Sequence, residues 1–223
     1  MSFKKNKYVI IREAISKDLA IFVANYFSMR KQVYDTCRQA KYISPYEELL
    51  GEYEPAHGQI PHTYFSYSDI AMDTLMLKCQ PVLEKITGVK LSPAYTFARM
   101  YKKGDILKRH KDRFSCEIST TMNLGGDPWP IYLSPNENVG KPNDKDITTA
   151  SKAKGIKVDL KPGDMLVYRG QELEHWRNKF NRKECIQVFF HYNNRKTPRA
   201  KENMFDKRPH LGLPAWFKNR LSS

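Results

Sequence analysis

The chain has 223 residues, enough for one domain of ordinary to large size with its own core. Hydrophobic residues make up 40% and aromatic residues 12%, which argues against wholesale disorder, and the 38 Lys and Arg against 24 Asp and Glu give a formal charge of +14. That charge raises nucleic acid or another acidic partner as a hypothesis, while the lack of any long apolar run, secretory core or CxxC pair predicts a cytoplasmic chain with reduced thiols and no membrane span.

Residues 8–11 (YVII) read as a short strand. Ser16 is a candidate N-cap for a helix whose apolar stripe is Leu19, Phe22, Val23, Tyr26, Met29 and Val33. Residues 40–68, rich in Tyr, Pro, Glu and Gly, have no clean period and read as a long loop. A second helix is expected from about Asp69 to Thr87, on the stripe Met72, Leu75, Met76, Cys79, Leu83 and Ile86, with Gly88 as its stop. Pro81 should kink or divide it.

From residue 89 the pattern changes to short strands, at about 94–102, 106–109, 117–124, 130–133, 156–160, 164–168 and 183–192, separated by KKGD, GGDP, SPNENVGKPND and KPGD turns. Residues 134–155 read as a polar surface excursion. The order predicts an α+β, mainly β protein: a closed or double-sheet β core at about 89–194, supported by an N-terminal strand and helices at about 1–88. Residues 1–194 then form a single domain, and 195–223 a basic C-terminal extension.

The chemistry concentrates at His110-Lys111-Asp112. In an extended segment residues i and i+2 point the same way, so an imidazole and a carboxylate can converge on one ion. A His from a distant strand would complete two histidines and one carboxylate, the facial set that leaves three coordination positions open on iron. Alone, HxD is a weak signal. Here Gly104-Asp105 precedes it, and Pro162-Gly163-Asp164, the strand Met165–Tyr168, a turn and His175 follow.

This ordered set, closed by a basic residue opening a terminal strand, resembles the 2-oxoglutarate/Fe(II) dioxygenases, and within them the prolyl 4-hydroxylase-like branch, over about residues 92–194. The resemblance implies a double-stranded β-helix (jelly-roll) core with two or more supporting N-terminal helices. It implies Fe(II) at His110, Asp112 and His175, with 2-oxoglutarate as co-substrate, O2 as oxidant and ascorbate as a further reductant. The implied reaction hydroxylates a C–H bond, in a prolyl or other residue of a peptide or protein first, or in a small molecule, with succinate and CO2 as co-products. A carboxylate at Asp112, rather than a small residue, favours hydroxylation over halogenation.

By the same resemblance Lys183 should face inward and pair the far carboxylate of 2-oxoglutarate, with Arg182 as competitor on the opposite face. Tyr101, nine residues before His110, is expected to contact the co-substrate, as is Asn123 beside Thr121. Arg177 is a candidate for a substrate carboxylate or the co-substrate, against a plain solvated loop Arg. His57 and His62 read as loop residues, His191 as a core or rim histidine, Trp129 as packing and Asp105 as a turn residue. Two other functions stay open: a nucleic-acid oxidative demethylase, although 183–195 lacks the paired-arginine spacing of that group, and a non-catalytic metal-binding jelly roll. Residues 195–223 carry a net +6, and six further basic residues crowd the motif from Lys102 to Arg113, which favours acidic substrates or partners.

Overall fold

The computed structural model describes residues 3–44, 46–140, 149 and 151–218. Most of the expected surface excursion (141–148 and 150) and the end of the basic tail (219–223) lie outside the described residues.

After a single helical turn, α1 (Phe3–Asn6), and strand β1 (Tyr8–Ile11), the long helix α2 spans Lys17–Gln39. The Ser16 hydroxyl starts it by accepting the Leu19 N–H at 3.2 Å. Its buried face is Ala20, Val23, Ala24, Phe27 and Tyr34. The expected stripe is rotated from this: Phe22 is 70% exposed and Met29 66%. Two small alanines sit against the sheet, and larger residues at the helix margin were mistaken for its centre.

The stretch expected as one long loop holds two short strands, β2 (Glu52–Tyr53) and β3 (Tyr64–Tyr67), which pair with each other. Helix α3 (Ile70–Thr87) follows, with Asp69 accepting N–H bonds from Ala71 and Met72 and Gly88 ending it at φ 73°. Pro81 does not divide it. The carbonyl deprived of a partner there belongs to Leu77, and both residues are exposed, so water can serve it.

The strands β4 (Leu91–Lys102), β5 (Leu107–His110), β6 (Ile118–Gly126), β7 (Ile131–Leu133), β8 (Ile156–Val158), β9 (Met165–Tyr168), β10 (His175–Arg177) and β11 (Glu184–Asn194) complete two antiparallel sheets. The larger runs β1-β9-β6-β11-β4-β3-β2 and the smaller β5-β10-β7-β8, a jelly-roll arrangement. Period-2 alternation gives the large sheet two unlike faces. Ala98, Met100, Met122, Val167, Val188 and Phe190 face outward and form the main core with α2 and α3. The opposite face, facing the small sheet, carries Tyr95, Phe97, Arg99 and Tyr101 on β4, directly across from His191, Phe189, Gln187 and Cys185 on β11.

Beyond β11, a short helix α4 (Pro198–Glu202) and two 3-10 turns (Met204–Lys207 and Ala215–Phe217) lie on the core. Arg208 is buried and donates to the Ala94, Phe205 and Leu213 carbonyls. Asp206 accepts from Arg113, Lys218 and Tyr67. Burial works against ionising it, but the Arg113 and Lys218 cations hold its carboxyl below the ordinary range. Residues 195–218 are therefore fastened to the core by buried charge.

Candidate active site

Strands β5 and β10 are antiparallel neighbours, and their register sets His110 directly opposite His175. Asp112 stands two residues beyond the end of β5, where its N–H donates to the Gly170 carbonyl at 2.8 Å. The three side chains converge. Asp112 Oδ1 lies 3.7 Å from His110 Nε2 and 3.3 Å from His175 Nε2, and one donor atom from each residue falls within 4.8 Å of the others.

Each imidazole is oriented from behind. His110 Nδ1 meets the Lys108 carbonyl at 2.8 Å and His175 Nδ1 the Leu173 carbonyl at 2.9 Å. A carbonyl can only accept, so Nδ1 carries the proton and the Nε2 lone pair points at the shared centre. Asp112 is fixed on its other oxygen, where the Ser119 hydroxyl donates to Oδ2 at 2.5 Å. Ser119 then accepts from His191 Nδ1 at 3.1 Å. Burial opposes ionisation of Asp112, but His175 first, then His191 and His110, hold the carboxyl well below the usual range. The result is two imidazole nitrogens and one carboxylate oxygen converging on one centre.

The triad opens into a cavity of about 430 Å³ between the sheets. Tyr101, Arg99, Phe97 and Phe189 line its large-sheet wall. Tyr101 is 2% exposed, and burial pushes its hydroxyl up to about 12 against the opposing pull of Arg99 and Arg177, so it remains a proton donor at neutral pH.

Arg177 is not the solvated loop residue of one sequence reading. It ends β10, two residues after His175 and on the same face, and is 1% exposed. Its guanidinium donates to the Trp129 carbonyl and, at 3.1 Å, to Thr121 Oγ1, and lies 5.2 Å from the Trp129 ring centre. Its Nε has no partner, and among the described residues no carboxylate pairs with it. Burial lowers its pKa, yet guanidinium starts so high that it stays charged. Asn123 Oδ1, on the same face of β6 as Thr121, is also buried without a partner.

Lys183 is placed differently from the sequence expectation. β11 begins one residue later, at Glu184, and Lys183 is exposed, with its N–H tied to Asp127 Oδ2 at 2.9 Å. Arg182 is exposed beside it. The inward face that Lys183 would have opened begins instead with Cys185. His57 and His62 are exposed on the 54–62 hairpin, and Asp105 accepts the Lys102 N–H at 2.8 Å, as a turn residue does. Trp129 donates its indole N–H to the Asn178 carbonyl and packs on Tyr101 and Phe180.

Four contributors were not singled out from sequence: Arg99, Glu54, Ser119 and Gly170. Arg99 and Ser119 were accessible by parity, each two residues from a residue already suspected. Gly170 had a signal only in its turn: a Cβ there would sit 2.1 Å from Asp112 Oδ2. Glu54 carried none.

No family model matches the chain, and no curated protein does. Solved structures do. A Pseudomonas putida prolyl-4-hydroxylase is 14% identical, with a TM-score of 0.56 over 86% of this chain and 95% of that one. The epimerase SnoN from nogalamycin biosynthesis, solved with Fe3+, alpha ketoglutarate and nogalamycin RO, is 11% identical, with a TM-score of 0.61 over 86% of this chain and 80% of that one. HygX from Streptomyces hygroscopicus, solved with nickel and 2-oxoglutarate, is 12% identical, with a TM-score of 0.56 over 87% and 85%. The chain shares their fold.

Proposed function

We propose that a chain with this fold and this triad is an Fe(II)- and 2-oxoglutarate-dependent oxygenase that hydroxylates a C–H bond, releasing succinate and CO2. The observation that carries the reading is the convergence of His110, Asp112 and His175 on a largely apolar cavity in a jelly roll. The donor set fits the metal: two imidazoles and one carboxylate on one face suit Fe(II) and leave positions for a chelating co-substrate and O2. Three ligands with room beside them also distinguish this centre from a closed structural site.

Bound iron with 2-oxoglutarate and O2 would supply the oxidising chemistry. The chain's own part is to bind, orient and exclude water. Ser119 and Gly170 set the Asp112 carboxylate, and the Lys108 and Leu173 carbonyls set the two imidazoles. Arg177, rather than Lys183, holds the far carboxylate of 2-oxoglutarate. It is the buried cation without a counter-charge, on the strand of a metal ligand, with a free Nε. Tyr101 adds a hydroxyl donor and Asn123 an amide to that end, while Thr121, which accepts from Arg177 and donates to Gln187, holds the guanidinium in place. Hydrogen bonds to a charged group in a dry site are strong and directional.

The substrate suggested by resemblance is a prolyl or other peptide residue. The cavity favours a second, narrower reading, a compact small molecule, because the 54–62 hairpin roofs it: Glu54 and Gln59 line the same space as the triad. The test is direct. Fe(II) and 2-oxoglutarate added without oxygen should give a visible charge-transfer band, and succinate should form on admitting O2 with peptide, amino-acid, carboxylic-acid or oligonucleotide pools. His110→Ala should abolish both signals. A wild-type protein with neither band nor succinate would end the oxygenase reading.

A further inference from the structure

A second buried guanidinium lines the cavity itself, on the opposite sheet from Arg177. Arg99 is 3% exposed on β4, two residues before Tyr101. One of its nitrogens, Nη2, pairs with Glu54 Oε2 at 2.5 Å. The other two, Nε and Nη1, are buried and without a partner, which leaves three N–H donors unanswered. Native proteins rarely leave such donors empty in the absence of a ligand.

The surroundings define what would answer them. The guanidinium lies 4.9 Å from the Phe97 ring centre and 5.8 Å from that of Phe65. Those two rings stack on each other, 4.8 Å apart and 16° from parallel. Phe189 and Leu107 continue the apolar lining toward the triad. Glu54 is half-committed elsewhere, its Oε1 accepting the Gln59 N–H at 3.1 Å. One carboxylate is thus shared between the hairpin and a guanidinium that could serve two.

We propose that Arg99 binds a carboxylate of the substrate, and that the substrate is a carboxylic acid with a compact apolar body. This rests on the oxygenase reading of the cavity, because it leaves Arg177 to the co-substrate. The division follows from placement: Arg177 is on β10 in the small sheet, and Arg99 is on β4 beside β3 in the large one. Two buried cations on opposite sheets suit two anions. The acid would dock beneath the hairpin, its charge at Arg99 and its apolar carbons against Phe65, Phe97 and Phe189, toward the metal. Arg99 would act as a specificity-determining residue, and Glu54 as the internal anion that holds it in register until the substrate arrives.

The experiment uses 3-phenylpropanoate and its uncharged match, 3-phenylpropanamide. Both are titrated calorimetrically into wild-type protein saturated with Zn(II) and 2-oxoglutarate. The acid should bind at least about tenfold tighter than the amide, as a charge-assisted contact requires. Arg99→Gln should erase that preference while 2-oxoglutarate affinity changes less than about twofold. Glu54→Gln, which keeps Arg99 and frees its third nitrogen, should tighten the acid several-fold, and it guards against a folding defect in the first variant. Equal binding of acid and amide by the wild type overturns the proposal, as does a preference that survives Arg99→Gln. A sharp loss of 2-oxoglutarate affinity in Arg99→Gln would assign Arg99 to the co-substrate and overturn it equally. Failure of the oxygenase reading shows separately, as a wild type that takes up neither Zn(II) nor 2-oxoglutarate; the acid–amide comparison then runs on the metal-free protein and still reads Arg99.

Discussion

On the proposed oxygenase reading two cations are candidates for the far carboxylate of 2-oxoglutarate, and burial favours Arg177 over Lys183. Arg177→Gln is expected to raise the 2-oxoglutarate dissociation constant at least about tenfold, since it removes a desolvated charge contact. Lys183→Ala should change it less than about twofold, because that side chain stands in solvent. Reversed outcomes in calorimetry would return the role to Lys183. Gly170→Ala tests the triad from behind. A Cβ would meet Asp112 Oδ2 at 2.1 Å and Ser119 Oγ at 2.4 Å, so metal affinity should fall about 10–100-fold with the fold intact. His191 offers a pH test. Burial pushes its imidazole down from 6.5 to about 4, so between those values the unfolded chain binds a proton the folded chain refuses. Stability should therefore drop as pH falls from 6.5 toward 4, by on the order of 3 kcal/mol. His191→Gln should lose less over that range in urea unfolding of the metal-free protein; equal losses would sink the assignment. The spacing of His110, Asp112 and His175 was legible because HxD geometry is local and the PGD turn marks the later strand. The placement of Lys183 was not, because β11 starts one residue later than expected, at Glu184, and leaves Lys183 at the surface, whereas Arg177 stood among the candidates.

At the scale of elements, the most direct test concerns α2. Phe27 is fully buried, its ring centre 5.1 Å from that of Tyr64, whereas Phe22 is 70% exposed. Phe27→Ala should cost about 3–5 kcal/mol and Phe22→Ala no more than about 0.5 kcal/mol, measured by chemical denaturation. The sequence pattern predicted the opposite for Phe22, because hydrophobicity alone ranks phenylalanine above the alanines that actually let the helix approach the sheet. Caps were easier to find: Ser16 and Gly88 act through their own backbone neighbours. Strands bounded by clear turn signals were found even when short, as at β1, β5, β7, β8 and β9. β2 and β3 were missed because they lie among turn-forming residues, and β10 because it follows a turn directly at His175. What the sequence pattern lacked was the pairing partner, since β3 exists by lying against β4.

For the whole molecule, the charge of +14 needs a different weighting once the ion pairs are known. Arg109 pairs with buried Glu174 and lies over Trp176, Lys111 donates to the Glu137 carbonyl, and Arg113 pairs with Asp206. Much of the basic rim expected around the motif is thus turned inward to hold the fold. Arg99, Arg177 and Arg208 are buried outright. Salt should separate the two populations. Raising NaCl from 50 to 200 mM should alter 2-oxoglutarate binding less than about threefold, because buried pairs are weakly screened, while any association with an oligonucleotide should fall steeply. Among the described residues no helix is long and apolar enough to cross a membrane.

The uncompensated guanidinium at the end of β10 carries a thermodynamic consequence. A buried charge without its anion penalises the folded state, so co-substrate should act as a missing counter-ion of the architecture itself. Ligand at 100 times its dissociation constant would add about 2.7 kcal/mol to stability. Arg177→Met should then melt higher than the empty wild type and yet show no further rise when metal and 2-oxoglutarate are supplied. Such a variant would exchange responsiveness for rigidity, which places this arginine among residues kept at the expense of stability.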